Sequence, residues 1–391
     1  MNRVGIITNI DANHGSCIFN ASVCNLIQKM NPDSDVHIID YLNPRWRLIE
    51  LVRSLKLNKN IPFYNLQRSI TLARFVRNEV PSESLLSFRN YEQLCKELDS
   101  RHYSTLITGK VVWDISNDSP TKFPNVYWFS EKMLTQKIAY AVSGHRTNLD
   151  IFKEYKKRVF EILASYQLIG VRDDMTQIMM EEAGVDKVVP VYRISDPAFL
   201  YNPKPIEPQE LLSKFKIPPD QPILGLLYYG KEKISHKICE HYHNKGYLII
   251  NFNMYNPYAD VNIGHRVNPD EWAAFFKQLT FCITDRFHGS VFCLRNDIPF
   301  VAIEPYQPKT LLNSKIFSLL KDFGIENICY QNTYLPEFDL DHFLSTCDQV
   351  EFNWKRGLSV GVRSRLLAQN QSQRDFLKLV KKQIELSHPA E

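Results

Sequence analysis

The sequence lacks the short motifs by which many nucleotide-binding and hydrolytic enzymes are identified. Its 391 residues contain no G-x-x-x-x-G-K-[ST] phosphate loop, no G-x-S-x-G nucleophile elbow and no C-x-x-C pair. The loop after the first predicted strand, NHGS (Asn13 to Ser16), is shorter and poorer in glycine than a G-x-G-x-x-G fingerprint. These absences argue against a dinucleotide-binding site, so the chemistry has to be inferred from other residues.

Signals for export and for membrane insertion are also missing. The first ten residues, MNRVGIITNI, lack the charged, apolar and cleavage regions of a secretory signal. No stretch reaches the roughly 18 apolar residues that a transmembrane helix requires. The eight cysteines have no paired spacing, which is typical of reduced and mostly buried thiols. We therefore expect a cytoplasmic protein.

The charge pattern excludes one class of partner. The formal net charge is only +4, and basic and acidic residues are interspersed, whereas a nucleic-acid-binding protein usually has a strongly basic stripe. Two short basic clusters, KKR (Lys156 to Arg158) and KLVKK (Lys378 to Lys382), are typical of solvated helix faces. The alternative is that they contact an anionic membrane, which would place the protein at the inner face of the membrane.

Short apolar runs alternate with amphipathic segments along most of the chain, as in α/β proteins with parallel sheets. The first set of predicted strands comprises Val4 to Thr8, DVHIIDYL, STLITG, NVYWFS, KIAYAVS, QLIGV and KVVPVY. The second set comprises PILGLLYYG, YLIINF, TFCITD and IPFVAI. Between the sets, six prolines fall within the 22 residues from Tyr201 to Pro222, which resists both helix and central strand.

We therefore predict two doubly wound α/β domains in tandem, with a cleft between them. The expected bounds are 1–203 for the first domain, 204–360 for the second and 361–391 for a final amphipathic helix. Ligands of open parallel sheets bind beyond the carboxyl ends of the strands. Candidate functional residues are therefore sought in the strand-to-helix loops.

The strongest candidate loop follows the strand TFCITD. Arg286 supplies a planar and permanently charged guanidinium suited to carboxylate or phosphate. His288 can exchange a proton near neutral pH, and Gly289 and Ser290 open a helix whose N-terminus favours an anion. These residues could bind a small anion and move a proton on it. The alternative is that His288 is satisfied in the core and that Arg286 is paired with a nearby carboxylate.

Other loops carry weaker candidates. Asn13 and His14 could face the cleft, although capping of the next helix by Asn13 or Ser16 is the simpler explanation of that loop. Arg172, in GVRDD, ends another strand of the first domain and could instead form a surface pair with Asp173. Lys231 is a further candidate in the second domain. His236, His241 and His243 do not share one helix face and lie in no H-E-x-x-H frame, so no metal site is expected.

Taken in order, several segments resemble the polysaccharide pyruvyl transferase family. They are NHGSCIFNASVCNLI, KIAYAVSGH, GVRDDMTQIMMEEAGV, ISDPAFLY, DEWAAFFKQLTFCITDRFHGSVFCLRNDIPFVAI and LLNSKIFSLLKDFGI. The R-F-H-G signature followed by an I-P strand is the most specific of these. YSTLITGKVVW is similar to the family's G-S-D-x-x-W stretch, but it is degenerate and Lys110 replaces the Ser-Asp pair.

The resemblance implies a GT-B-like architecture of two Rossmann-type domains facing across a cleft. It also implies transfer of a pyruvyl group from phosphoenolpyruvate, as co-substrate and without an obligate cofactor, onto two sugar hydroxyls as a cyclic ketal. His288 and Arg286 would be catalytic, while Arg172, Arg286, Gly289 and Ser290 would bind the donor. Asn13, His14 and Lys231 are candidate contacts for the sugar acceptor, which could be lipid-linked, nucleotide-linked or polymeric.

Two rival interpretations stay open at this point. A GT-B glycosyltransferase that uses a nucleotide-sugar donor would share the architecture, since fold alone does not fix function. The segment from Asp285 to Asn296 lacks the acidic pair that such a donor pocket commonly uses. A relative that has lost turnover would be consistent with the degenerate GKVVW stretch, but not with the presence of Arg172, Arg286 and His288.

Overall fold

The computed structural model of the protein describes residues 2–41, 44–58, 60–85, 90–119, 122–228, 230–304, 310–331 and 338–387. Over these residues the protein is α/β with two parallel sheets, so the predicted fold class is confirmed. No helix among them is both long and apolar enough to cross a bilayer.

The first sheet is built from the apolar runs in the first half of the chain. Within the described ranges it has seven strands in the order β3-β2-β1-β4-β5-β6-β7, each pair parallel. The strands are β1 (Arg3–Thr8), β2 (Asp35–Asp40), β3 (Ser82–Ser84), β4 (Thr105–Val111), β5 (Gln136–Ser143), β6 (Leu168–Val171) and β7 (Val191–Arg193).

The second sheet repeats this design. In the part of the chain that is described it has six parallel strands in the order β10-β9-β8-β11-β12-β13. They are β8 (Ile223–Leu227), β9 (Leu248–Asn251), β10 (Val261–Asn262), β11 (Phe281–Thr284), β12 (Phe300–Ile303) and β13 (Cys329–Tyr330).

Helices connect the strands and cover both sheets. They are α1 (His14–Met30), α2 (Pro44–Ser54), α3 (Tyr64–Glu79), α4 (Tyr91–Ser100), α5 (Leu149–Leu163), α6 (Asp174–Ala183), α7 (Pro208–Lys214), α8 (Glu232–Asn244), α9 (Pro269–Phe275), α10 (Phe287–Asn296), α11 (Lys315–Asp322), α12 (Leu340–Asn353) and α13 (Ser359–Leu386). The last helix returns to the first sheet, where Phe376 stacks on Tyr140 with ring centroids 5.7 Å apart. The fully buried Gln373 donates to the Tyr140 hydroxyl at 3.1 Å.

The strand order of each sheet reverses direction at one place, and ligands of such sheets bind at that switch point. In the first sheet the reversal lies between β1 and β4, and in the second between β8 and β11. The chain leaves β1 into α1 and leaves β11 into α10. The two helix N-termini therefore start at the two positions where a ligand site is expected.

The domains also contact each other directly. From α3, the Tyr64 hydroxyl donates to the carbonyl oxygen of Asn253 at 2.8 Å. The Asn313 side chain donates to the carbonyl oxygen of His145 at 2.8 Å. These bonds join the walls of the cleft on two sides.

Some predicted elements differ from the structure. NVYWFS was predicted to be a strand, but residues 125–130 form turns and irregular backbone, with Trp128 and Phe129 buried. KVVPVY contributes only its last residues to β7, because a 3-10 turn at Val185–Lys187 comes first and Pro190 interrupts the run. The short strands β3, β10 and β13 were not predicted, since two or three residues show no periodicity.

Candidate active site

A pocket of about 360 Å³ lies between the two domains, at the N-termini of α1 and α10. This volume is at the lower end of the range for small-molecule sites. The first domain lines it with Asn13, His14, Gly15 and Arg68, and the second with Asn253, Met254, Trp272, Arg286, Phe287, His288 and Lys315.

The start of α10 positions Arg286 and His288, the two polar residues of the R-F-H-G motif. β11 ends at Thr284, whose hydroxyl oxygen accepts a hydrogen bond from the backbone N–H of Arg286 at 3.0 Å. A Cβ at Gly289 would overlap that same Thr284 hydroxyl. Only glycine therefore lets the first turn of α10 pack against the strand end, and this packing directs Arg286 and His288 toward the cleft.

Arg286 is the N-cap residue of α10 and its side chain is about one-third exposed. Its Nε lies 2.8 Å from Oδ1 of Asp285, so the guanidinium is held by a neighbouring carboxylate while it lines the pocket. No side chain among the described residues caps α10 at this position. The first backbone N–H groups of the helix are therefore available to an anion.

His288 is mostly buried and lies against the first turn of α1. Its Nε2 is 3.6 Å from Oδ1 of Asp196, which is an electrostatic contact rather than a hydrogen bond. Burial lowers the pKa of His288 below its usual value, although the Asp196 carboxylate opposes the shift. The ring is therefore mainly neutral at pH 7.

Arg172 stands behind this histidine rather than in the pocket. Its side chain is buried, forms an ion pair with Asp196, and has Phe19 and Phe287 on its faces at 5.6 and 5.0 Å. Burial alone would raise the pKa of Asp196, but Arg172 and His288 outweigh it and hold the pKa at about 2. Arg172 therefore acts on the site through Asp196, and the predicted surface pair with Asp173 is not formed.

The loop of the first domain contributes a capping residue and a neutral ring. Asn13 accepts from the backbone N–H of Ser16 at 2.8 Å, so it caps α1 and also lines the pocket. His14 stacks on Trp272, and its Nε2 lies 3.0 Å from the carbonyl oxygen of Val267, to which it donates. Burial, with a further contribution from Arg68, lowers the pKa of His14 to about 3. Its Nδ1 has no hydrogen-bond partner among the described residues.

Two cations of the pocket were not identified from the sequence. Arg68 reaches the pocket from α3, and its Nη1 lies 3.0 Å from the sulfur of Met254. Within the described ranges no carboxylate pairs with Arg68, although burial and nearby Arg286 both lower its pKa. No sequence motif surrounds this residue, so nothing in the primary structure separates it from a surface arginine.

Lys315 is the second of these cations. It is the first residue of α11, and its Nζ lies 5.6 Å from the ring centroid of Phe287. Burial, assisted by Arg172 and Arg146, lowers its pKa to about 8. A cation in the first turn of a helix opposes the helix dipole. The sequence NSKIF, in which Lys315 directly follows the capping residue Ser314, therefore contains a local signal for an unusual lysine.

The electrostatic character of the pocket follows from this set of residues. Arg68, Arg286 and Lys315 line it, and none of the described lining residues is acidic. Asp285 pairs with Arg286, and Glu304 and Asp114 act on Lys315 from outside the lining, so part of this positive charge is compensated. The remainder favours a small anionic ligand.

The structure does not bring every predicted site residue to this pocket. Gly289 and Ser290 are buried within the first turn of α10, and Arg172 lies behind His288. Lys231 is exposed at the N-terminus of α8 and is not among the lining residues. The pocket thus unites Asn13, His14, Arg286 and His288 with the unpredicted Arg68 and Lys315.

Lys110, in the degenerate GKVVW stretch, is buried. Its Nζ donates to the carbonyl oxygen of Asn9 at 2.7 Å and pairs with Asp11 at 2.8 Å, and it also contacts the Ser16 hydroxyl. It therefore ties the end of β4 to the loop that begins α1.

In the second domain, His241 lies 3.0 Å from Asp348 and His243 lies 3.0 Å from Asp260.

A family model described as Polysaccharide pyruvyl transferase matches residues 13–306. The matched span includes the pocket loops at the starts of α1 and α10. No curated protein matches the chain.

Solved structures match nearly the whole chain at low identity. A Listeria monocytogenes protein assigned as a UDP-N-acetylglucosamine 2-epimerase is 8% identical with a TM-score of 0.59, covering 98% of this chain and 96% of that one. The UDP-N-acetylglucosamine 2-epimerase from Rickettsia bellii is 10% identical with a TM-score of 0.52, covering 99% and 98%. The Neisseria meningitidis enzyme bound to UDP-GlcNAc is 9% identical with a TM-score of 0.51, covering 98% and 100%. At these identities the similarity shows the two-domain, GT-B-like fold alone.

Proposed function

The chain belongs to the polysaccharide pyruvyl transferase family, and on this basis we propose that it uses phosphoenolpyruvate to pyruvylate a sugar. The pyruvyl group would be moved onto two hydroxyls as a cyclic ketal, with release of phosphate. The acceptor is a saccharide of a polysaccharide or of its precursor.

The observation that carries this proposal is the charge of the interdomain pocket. Phosphoenolpyruvate has a carboxylate and a phosphate on three carbons, and the pocket presents Arg68, Arg286 and Lys315 without an acidic lining residue among those described. Guanidinium groups bind both kinds of anion in a bidentate manner. Because Arg68 and Arg286 come from different domains, donor binding would draw the cleft walls together.

Ketal formation requires the site to transfer two protons. Two C–O bonds form at C2 of the donor, the bond from C2 to the phosphate oxygen breaks, and the C2=C3 double bond becomes a single bond as C3 is protonated. The two sugar hydroxyls lose two protons, of which one ends on C3 as the methyl group forms and the other leaves with phosphate. The site therefore has to accept and donate protons near neutral pH.

Two residues of the pocket have pKa values suited to these tasks. His288 is neutral at pH 7 because burial lowers its pKa, so it can accept a proton from a sugar hydroxyl. Lys315, with a pKa lowered to about 8, is protonated at pH 7 and can donate to C3 or to the leaving phosphate. When the surroundings shift the pKa values of two groups in one site apart, the group with the lower pKa can act as the base and the other as the acid. The reaction as proposed needs no metal ion or redox cofactor.

The acceptor would enter on the side of the first domain. His14 is neutral, and its Nδ1 is buried without a hydrogen-bond partner among the described residues. His14 and Asn13 line this wall of the pocket, where a sugar could bind. Lys231 lies outside the pocket lining, so a contact with it would require a larger acceptor.

The proposal is tested by incubating the purified protein with phosphoenolpyruvate and galactose-, mannose- or N-acetylhexosamine-containing acceptors. Release of phosphate that depends on the acceptor, with a gain in acceptor mass of one pyruvyl ketal, is the expected result. A parallel series replaces phosphoenolpyruvate with nucleotide sugars. Sugar transfer in that series, without phosphate release from phosphoenolpyruvate, would establish the glycosyltransferase alternative instead.

A further inference from the structure

The helix α2 presents an apolar stripe to solvent. Leu48, Leu51 and Val52 of α2 and Leu55, the residue directly after its end, follow the i, i+3, i+4, i+7 spacing of one helix face. They are 62%, 54%, 57% and 52% exposed. In a surface helix this stripe normally packs on the core. Here these four apolar side chains face solvent instead of the core.

The exposed apolar surface continues into the next segment. Leu57, Phe63 and Ile70 are 70%, 50% and 50% exposed. Phe63 precedes α3 with a φ of 61°, a left-handed conformation that bulky residues rarely adopt. We call these seven side chains the α2–α3 face: Leu48, Leu51, Val52, Leu55, Leu57, Phe63 and Ile70.

Positive charge is concentrated in the same segment. Residues 44–80 contain eight Lys or Arg and two Asp or Glu. Even without Arg68, which lines the candidate active site, this segment alone has a larger net charge than the +4 of the whole chain. Arg53 and Lys56 are exposed beside the apolar stripe. Within the described part of the chain neither has a carboxylate partner, whereas Lys156, Lys378 and Lys381 of the other basic clusters are paired with Glu182, Asp375 and Glu385.

A groove lies between the α2–α3 face and the loop that precedes α1. It has a volume of about 550 Å³, and its lining includes Leu51 of α2, Leu72 and Val76 of α3, and Asp11 of the loop before α1. The same loop continues into Asn13, which lines the cationic pocket.

We propose that the α2–α3 face docks on an anionic membrane surface. An exposed aliphatic stripe flanked by cations is the pattern of a helix that lies in the lipid interface. A nucleic acid would use the cations but not the leucines. Contact between two copies through the same face would bring like charges together. This docking does not depend on the proposed function.

The test measures binding of the full chain to vesicles, without donor or acceptor. The wild-type protein should sediment with vesicles of phosphatidylglycerol and phosphatidylcholine, and it should bind at least tenfold more weakly to phosphatidylcholine alone or at high salt. Leu48→Gln/Leu55→Gln and, separately, Arg53→Gln/Lys56→Gln should each lower the partition coefficient at least tenfold. Because all four side chains are exposed, thermal unfolding should be unchanged.

Matched control variants come from other exposed positions. Leu367→Gln, on α13, removes an equally exposed leucine, and Lys378→Gln/Lys382→Gln removes two charges from the other basic cluster. Both should bind vesicles like the wild type. The proposal is overturned if wild-type protein does not sediment with anionic vesicles, or if the α2 variants bind as well as the controls. It is also overturned if light scattering shows a dimer that only Leu48→Gln/Leu55→Gln dissociates. Since no turnover is measured, failure of the proposed reaction would not affect this result.

Discussion

Gly15 and His288 lie in direct contact across the interdomain cleft, although 273 positions separate them in the chain. A Cβ built on Gly15 would overlap the imidazole ring of His288. Gly15 belongs to the first turn of α1 and His288 to the first turn of α10, so the two helix N-termini meet at this point. The absence of a side chain at Gly15 is therefore what allows the second domain to place its histidine against the first.

Replacement of Gly15 by alanine should lower activity without unfolding the protein. The added methyl group has to displace the His288 ring, and loss of a positioned acid–base group costs about 10²-fold or more in kcat. Steady-state assays of phosphate release at saturating phosphoenolpyruvate would measure the effect. Gly361→Ala is the matched control, because a Cβ there meets open space in helix α13. Equal kcat values for the two variants would contradict the assigned role of His288.

Replacement of Arg68 by methionine should weaken donor binding far more than turnover. A charge-assisted hydrogen bond contributes about 1.5–3 kcal/mol, so the KM for phosphoenolpyruvate should rise about 10- to 150-fold. Titration of the donor at fixed acceptor concentration gives this value. Arg74→Met, an exposed position on the same helix, should leave the donor KM within about twofold. An unchanged KM in Arg68→Met would remove this arginine from the donor site.

The sequence predicted the residues of the site that belong to local motifs. Arg286 and His288 stand directly after a buried strand, where chain order alone locates the pocket, and Asn13 and His14 occupy the equivalent place in the first domain. The two-sheet fold was predictable because the central strands are compact apolar runs, whereas the short strands β3, β10 and β13 at the sheet edges are not. Local pattern and global fold agree at these positions.

Arg68 and Lys315 could not be assigned in this way. Both belong to elements that follow other strands and reach the pocket only through packing of the whole molecule, Arg68 from α3 and Lys315 from α11. Their position in the pocket depends on burial, which the neighbouring sequence does not show, and the one local signal was a lysine in the first turn of α11. Arg172 is the reverse case. Its motif position predicted a ligand contact, but its side chain pairs with buried Asp196 and does not line the pocket.

Replacement of Arg172 by methionine should destabilise the fold strongly. The change leaves Asp196 as an uncompensated charge in a buried site, and breaking such a pair costs about 3–5 kcal/mol in the free energy of unfolding. The double variant Arg172→Met/Asp196→Leu should recover part of this loss, because it also removes the stranded carboxylate. Urea unfolding of the single and double variants at pH 7 provides the comparison. A single variant as stable as the wild type would show that the pair is not buried in solution.

The pH dependence of activity should report the ammonium group of Lys315. Burial lowers its pKa to about 8, so the charged form predominates below that pH and is lost as the pH rises through it. The value of kcat/KM should therefore fall about tenfold per pH unit above pH 8. Lys315→Arg keeps the charge because guanidinium does not titrate in this range, so its donor KM should become independent of pH. If Lys315 also donates the proton, kcat of Lys315→Arg should drop at every pH, since arginine is too weak an acid to replace it. An alkaline limb that stays at the same pH in Lys315→Arg would assign the titration to another group and would leave Lys315 without a role in proton transfer.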